Sequence, residues 1–280
     1  MLLVGADPEL FVQDRTSGKF ISAHGMVQGD KKNPFVVDKG AVQVDGMALE
    51  FNIDPAKSKE EFVDNLQTVM STLKGMCPDY DVVAVPTAEF GFEYIASQPD
   101  EAKILGCEPD YNAWTGKANP RPNAETSFRT GAGHVHIGWT EGMDIESQSH
   151  LEDCELFVKA LDSTLYLLSC LWDSDKKRRE LYGALGAYRP KSYGVEYRVL
   201  SNAWLESKEK MDIVYDVITA VHSKLVEGKV RCLLDLPQTI GKFESHLTST
   251  NIEGRNRRYC TEIVCDRVGI RGLKERLYAL

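Results

Sequence analysis

Three polar pairs in this chain have the two-residue spacing of side chains that share one face of a β-strand. They are Asp7 and Glu9 around Pro8, His134 and His136, and Glu196 and Arg198. Glu50 adds a carboxylate in Ala48-Leu49-Glu50-Phe51-Asn52, where Leu49 and Phe51 alternate toward a core and Glu50 shares the other face with Asn52. The pattern describes a sheet with one apolar face and one face of carboxylates, imidazoles and a guanidinium. Solubility alone would be served as well by Lys, Thr and Ser. Clustered carboxylates repel one another and raise their own pKa values unless cations neutralise them, and a divalent metal is the most compact neutraliser.

Carboxylates are hard oxygen ligands and suit Mg²⁺, with phosphate oxygens completing its shell. An imidazole widens the choice to Mn²⁺. Arg129, Arg189 and Arg198 supply the planar forks that grip phosphate. The set describes a site for a metal–nucleoside triphosphate, with neither a phosphate-binding Gly-x-x-x-x-Gly-Lys-Ser/Thr loop nor a dinucleotide fingerprint. Singly, each motif is weak. Asp-Pro-Glu is a common turn or strand edge, a His-x-His strand serves metal sites and hydrogen-bonded core pairs alike, and Glu196-x-Arg198 alone reads as an ion pair. Gly131, Gly133 and Gly138 around the histidines would let a ligand approach the backbone.

The elements that must position these residues read as strands first. Leu2–Val4, Leu10–Val12, Phe35–Val37, Ala41–Val44 and Ala48–Ile53 form a meander with turns at Asp38-Lys39-Gly40 and Asp45-Gly46. Ser58 and Glu61 have capping-box spacing ahead of a helix carrying Phe62, Leu66, Val69, Met70 and Leu73, ended by Gly75 and Pro78. Val82–Val85 reads as a buried strand, residues 106–129 as a long ordered loop, and residues 134–139 and 195–200 as strands. Ser149 and Glu152 repeat the cap spacing before an apolar helix to about Trp172. Residues 173–179 read as solvated loop or helix end, and a third helix starts at Ser207. The expected class is α+β: an antiparallel sheet with helices packed on one face, in a single catalytic domain over residues 1–280 that is helical from about 206.

Composition narrows the functional classes. The 42% hydrophobic and 27% charged content is that of an ordinary globular protein, and a net charge of −9 disfavours non-specific nucleic-acid binding. No apolar run spans a bilayer, and the opening MLLVGADPEL lacks the layout of a signal peptide. The 7 cysteines are dispersed without a Cys-x-x-Cys pair, so small buried thiols in a cytoplasmic setting are expected.

The motifs GADPELF, DGMALEFN, GCEPDYNAW, GAGHVHIG and YRPKSYGVEYR occur in that order over roughly residues 1–205. This set resembles the phage-type carboxylate–amine ligase family (type 2 amidoligases), relatives of glutamine synthetase and γ-glutamylcysteine synthetase. The resemblance implies a glutamine synthetase-like fold, an antiparallel sheet cupping the active site. It implies ATP and Mg²⁺ or Mn²⁺, with metal ligands at Glu9, Glu50, His134 and Glu196 and Asp7 as a helper. His136 is then expected at phosphate or substrate, and Arg198 and Arg189 on the transferring phosphoryl group, with Arg129 a further nucleotide contact. The relatives often carry two acids in the second motif at wider spacing than Asp45 and Glu50, which leaves the role of Asp45 and the number of metals open.

The implied reaction joins an acid to an amine through an acyl phosphate, in the host cytoplasm if the chain is phage-encoded. It leaves both substrates, the general base and homo-oligomer formation open. Alternatives are a phosphagen kinase-like phosphotransferase on the same fold, a zinc hydrolase built on His134 and His136, and an inactive nucleotide-binding relative. The ligase reading predicts that Glu9→Ala or Glu196→Ala abolishes ATP turnover in a folded protein; wild-type turnover in either variant would remove the site assignment.

Overall fold

The computed structural model describes residues 1–104, 110–120, 125–234 and 255–280; side chains in the last stretch are described from Thr261 onward, Ile263 excepted. The class is α+β, and the strand pairings of the described residues are antiparallel. They make two large sheets where the sequence suggests one. The first runs in the order Leu3–Ala6, Val135–Gly138, Gly194–Tyr197, Ala187–Lys191, Tyr111–Asn112, Lys117–Ala118. The second runs Phe20–Ile21, Glu9–Asp14, Ala48–Ile53, Gly40–Asp45, Phe35–Val37, with Tyr80–Val83 also pairing Glu9–Asp14.

The N-terminal segment sews the two sheets together. On one side Asp7 N–H donates to His134 O at 3.3 Å and Glu9 N–H to Ala132 O at 2.9 Å. On the other, Val4 and Ala56 exchange backbone bonds at 2.9 Å, and Phe51 N–H donates to Pro8 O at 3.1 Å. Proline has no amide hydrogen to donate, but its carbonyl still accepts, so Pro8 is tolerated between the two sheets.

Alternation along the strands separates the two faces. Val135, Ile137, Val195 and Tyr197 turn into the core with Val4 and Ala6. The helix Gln148–Leu161 packs against this sheet and Lys59–Met76 against the second, with Lys208–Val226 lying against both helices. Lys59–Met76 buries Phe62, Val63, Leu66, Val69 and Leu73; Gln148–Leu161 buries Cys154, Phe157, Val158 and Leu161; Lys208–Val226 buries Met211, Ile213, Val214, Ile218 and Val221. Ser58 caps the first through Glu61 N–H at 3.2 Å, while Glu61 turns back to Lys57 N–H at 2.7 Å. None of these is long and apolar enough to cross a membrane among the described residues.

Several expectations need correcting. The second helix starts at Gln148 after Ser147, so Ser149 lies inside its first turn and caps nothing. That helix does not run on regularly: Asp162–Tyr166 is a π-turn leading into Leu167–Ser169. Ser163 and Thr164 hydroxyls donate to the Lys159 and Ala160 carbonyls at 2.7 Å, the back-bonding that loosens a helical ladder. The segment 173–179 is not all solvated, because Asp173 and Arg178 are buried. Of the cysteines, Cys77 and Cys154 are buried but Cys232 is exposed, and Cys107 and Cys260 lie outside the described side chains. The loop read over 106–129 contains the short strands Tyr111–Asn112, Lys117–Ala118 and Phe128–Thr130 in its described part.

The π-turn places Asp162 fully inside the core, where Trp114 Nε1 donates to it at 2.6 Å and Tyr197 Oη at 2.8 Å. Burial outweighs these donors and pushes its pKa up to about 7. A carboxyl with a raised folded-state pKa stabilises most below its unfolded pKa, and that contribution is lost as pH rises through the folded value. Wild-type stability relative to Asp162→Asn is therefore expected to fall between about pH 4 and pH 7, by up to roughly 4 kcal/mol, and then level off. Denaturant titrations of both proteins across that range check it; parallel pH profiles would contradict it.

Candidate functional site

The polar face of the first sheet is laid out by register. Gly5 faces His136, His136 faces Glu196, and Glu196 faces Arg189, so these four positions cross four strands in one row. The next row holds Leu3, Gly138, Gly194 and Lys191. On the other flank stand Asp7, His134 and Arg198, joined by the Asp7 N–H to His134 O bond and by Arg198 Nη1 lying 3.3 Å from His134 Nδ1. Of the residues expected on one polar face, His134, His136, Glu196 and Arg198 come together on the first sheet, whereas Glu9 and Glu50 lie on the second.

Glu196 is only 1% exposed and sits among cations. Arg198 Nη1 donates to Oε1, Lys191 Nζ lies 2.9 Å from Oε2, and Arg189 Nη1 lies 3.6 Å from Oε1. Arg198 is itself locked. Its Nε donates to Asp110 Oδ2 at 3.1 Å and its Nη2 to the Tyr182 hydroxyl. Asp110 belongs to the described part of the loop read over residues 106–129. Its second oxygen accepts from Asn119 Nδ2 at 2.9 Å.

His136 has Nε2 3.1 Å from Asp7 Oδ1 and Nδ1 2.5 Å from the Tyr193 hydroxyl. Burial opposes charge on this ring, but the Asp7 carboxylate and then Glu196 hold its pKa above the usual value. His134 is the reverse: burial, then the cations Arg198 and Arg178, push its pKa well below normal, so the ring is neutral. With Nδ1 accepting from Arg198, the proton sits on Nε2, a buried donor with no partner among the described residues. Metal binding at Nε2 requires the other tautomer, with Nδ1–H turned to Asp7 or Glu196, each 3.7 Å away.

A second acidic group lies beyond Asp7 on the second sheet. Glu9 and Glu50 are register partners. Glu9 Oε2 accepts from Ala132 N–H at 2.8 Å, Glu50 Oε2 from Gln43 Nε2 at 2.8 Å, and Lys31 Nζ lies 2.7 Å from the adjacent Asp45. Burial, then Asp45, raises Glu9 to about 7; burial, then Asp7, Asp45 and Glu9, raises Glu50 to about 8. Asp7 and Glu9 therefore do not make one pair, since the chain passes between sheets at Pro8 and sends each to a different group.

The donors fit a hard divalent ion. Ligand atoms of Asp7, His136 and Glu196 all lie within 4.8 Å of one another, and Glu9 with Glu50 forms a carboxylate pair short of positive charge. Arg129 stands apart from both groups. It is buried on the separate two-stranded sheet and donates through Nη1 to the Phe128 and Thr126 carbonyls at 2.9 and 3.3 Å.

Sequence reasoning missed Lys191, although it lies two residues from Arg189 and so on the same strand face. It also missed Arg178, which shows no signal beyond a charged run. Arg178 donates to the carbonyls of Gly131, Val199 and Leu200 at 3.1, 2.8 and 2.7 Å, tying the segments that lead into His134 and out of Arg198. The glycines before the histidines serve packing, not ligand approach. A Cβ on Gly131 would meet Asn202 Nδ2 at 2.4 Å, and one on Gly133 would meet Ser201 O at 2.2 Å. Gly138 alone of the three has room.

Residues 118–238 match the family model described as phage phiEco32-like COOH.NH2 ligase-type 2, the family that the motifs resemble. The matched span carries the His-x-His and Glu-x-Arg strands and leaves out Asp7, Glu9 and Glu50. No curated protein matches the chain. The family is one of carboxylate–amine ligases, enzymes that form C–N bonds.

If the two acidic groups share a divalent ion or ions, Mg²⁺ or Mn²⁺ stabilises the fold by mass action, about 2.7 kcal/mol at a hundred times Kd. Thermal melts with and without metal are expected to show that gain in the wild type and a much smaller one in Asp7→Asn, because Asp7 faces both groups. An undiminished shift in Asp7→Asn would rule out a shared site.

Proposed function

We propose that this chain is an ATP-dependent ligase that joins a carboxylate to an amine through an acyl phosphate, within a single catalytic domain. The observation that carries the reading is the register row His136, Glu196, Arg189, with Asp7 beside His136 and Lys191 beside Glu196, which sets imidazole and carboxylates toward one side of the sheet and cations toward the other. Such a row matches a polyphosphate whose charge must be held by both metal and guanidinium.

A carboxylate does not react with an amine at neutral pH, because its oxygen is a poor leaving group. In the proposed sequence the substrate carboxylate oxygen attacks the terminal phosphorus of ATP and ADP leaves. The amine nitrogen then attacks the acyl carbon, phosphate leaves, and the amine proton goes to solvent or a base. Net, ATP, acid and amine become ADP, phosphate and amide. A divalent ion held by Asp7, His136 and Glu196, or by the carboxylate pair Glu9 and Glu50, would supply charge to offset that of the phosphates.

The chain's own residues divide the remaining tasks. Arg189 and Lys191 keep part of their side chains accessible beside Glu196 and can turn from it to the transferring group. Arg198, 3% exposed and held by Asp110, Tyr182 and Glu196, keeps that carboxylate and His134 in place. The Nε2–H of His134 offers a buried donor to an incoming oxygen anion.

The test incubates the protein with ATP, Mg²⁺ and panels of amino acids and polyamines, measuring phosphate release and product masses. ADP, free phosphate and an amide are expected; ADP with a phosphorylated amine or guanidine would replace the ligase with a phosphotransferase. Arg189→Ala is expected to lower kcat by about 10²–10³-fold, the cost of one donor to a developing charge, with unfolding curves unchanged. Wild-type kcat in that variant would take Arg189 out of the reaction.

A further inference from the structure

Directly beside His136, on the flank away from the cations, lies a cavity of about 400 Å³ that the reading above does not use. It occupies the crease where the first strand meets the second sheet. Its floor is Gly5 and Gly138, register neighbours of His136 and Leu3. With no side chains there, the floor is flat backbone. Leu3 and Pro55 add apolar walls, and Tyr193 closes one side with its ring centroid 6.1 Å from that of His136. Asn52 and Thr140 bring an amide and a hydroxyl to the lining. No carboxylate and no Lys or Arg lines it.

We propose that this cavity holds the base of the nucleotide, an inference that rests on the ATP-dependent reading. A slot with a flat floor, an aromatic wall and neutral polar groups suits a planar heteroaromatic ring, which stacks by its face and hydrogen-bonds by its edge. It suits phosphate or an amino-acid carboxylate less well, because no Lys or Arg side chain lines it to grip an anion. The span also fits. From the first strand to the strand carrying Arg189 and Lys191 is three strand spacings, roughly 14 Å, enough to lay a nucleotide across the sheet with its phosphates over Glu196 and the cations. An aliphatic acid side chain would use the same walls and leave the Asn52 amide unanswered.

Gly138 provides the test. A Cβ there would meet its nearest atoms, Tyr193 O and Cδ2 and Leu3 Cβ, at 3.5–3.7 Å, ordinary contact, so a side chain fills the cavity without forcing the backbone. Calorimetric titration of wild type and Gly138→Val with Mg²⁺·ATP and with Mg²⁺·tripolyphosphate separates the base from the phosphates. The wild type is expected to bind ATP on the order of tenfold more tightly than tripolyphosphate, and Gly138→Val to lose that advantage while binding tripolyphosphate as before. Gly138→Ala, the smaller step, should lose part of it and serves if the valine variant does not fold. Unchanged ATP affinity in both variants, or wild-type ATP binding no tighter than tripolyphosphate, would overturn the base site and leave the phosphate site standing. Binding of neither ligand by the wild type would overturn both.

Discussion

The structure depends on one short stretch of backbone that belongs to two sheets at once. From Val4 to Glu9 the chain bonds to the segment 132–136 on one side and to Phe51 and Ala56 on the other. Pairing on both edges leaves no freedom to rotate, and Pro8 removes one backbone dihedral besides. Asp7 and Glu9 are therefore delivered to different neighbours, Asp7 to His136 and Glu9 to Glu50, although only one residue separates them. Everything acidic in the site is placed by this stretch or by the strands it holds together.

Electrostatics then separates the two groups. Glu196 is surrounded by Arg198, Arg189 and Lys191, whereas Glu9, Asp45 and Glu50 share Lys31. Burying carboxylates without matching cations raises their pKa values, which is the state of Glu9 and Glu50. The imbalance is local, and it marks where positive charge from outside the chain would be most stabilising. Arg178 works against looseness in the same region. By occupying three carbonyls around Gly131 and Leu200 it fixes the approach to both His134 and Arg198, so these groups are positioned before any ligand arrives.

Much of this was legible from period-two spacing. The pairs His134/His136 and Glu196/Arg198 and the face shared by Glu50 and Asn52 follow from alternation alone, and the structure places them so. The α+β class followed from strands succeeded by long amphipathic helices. What could not be read has a common cause: it depends on contacts distant in sequence. Nothing local says that Asp7-Pro8 divides two sheets, that Asp110 meets Arg198 eighty-eight residues away, or that a charged run at 173–179 sends Arg178 into the interior. The Ser149 cap failed for a different reason, since cap spacing recurs by chance wherever Ser and Glu are common, and Ser147 stands at the actual boundary.

The row of Gly5, His136, Glu196 and Arg189 has a further consequence for how the gene can change. Every member is displayed because of its parity along a strand, with core residues such as Val135, Ile137 and Val195 at the alternate positions. Inserting or deleting one codon within any of these strands would exchange the two sets, turning histidine and glutamate inward and valine outward. Such a lesion acts as a switch between intact and ruined, with no graded intermediate. Length variation compatible with a working site is thereby confined to connections such as the exposed turn between Asp14 and Phe20, while the strands themselves must keep their count.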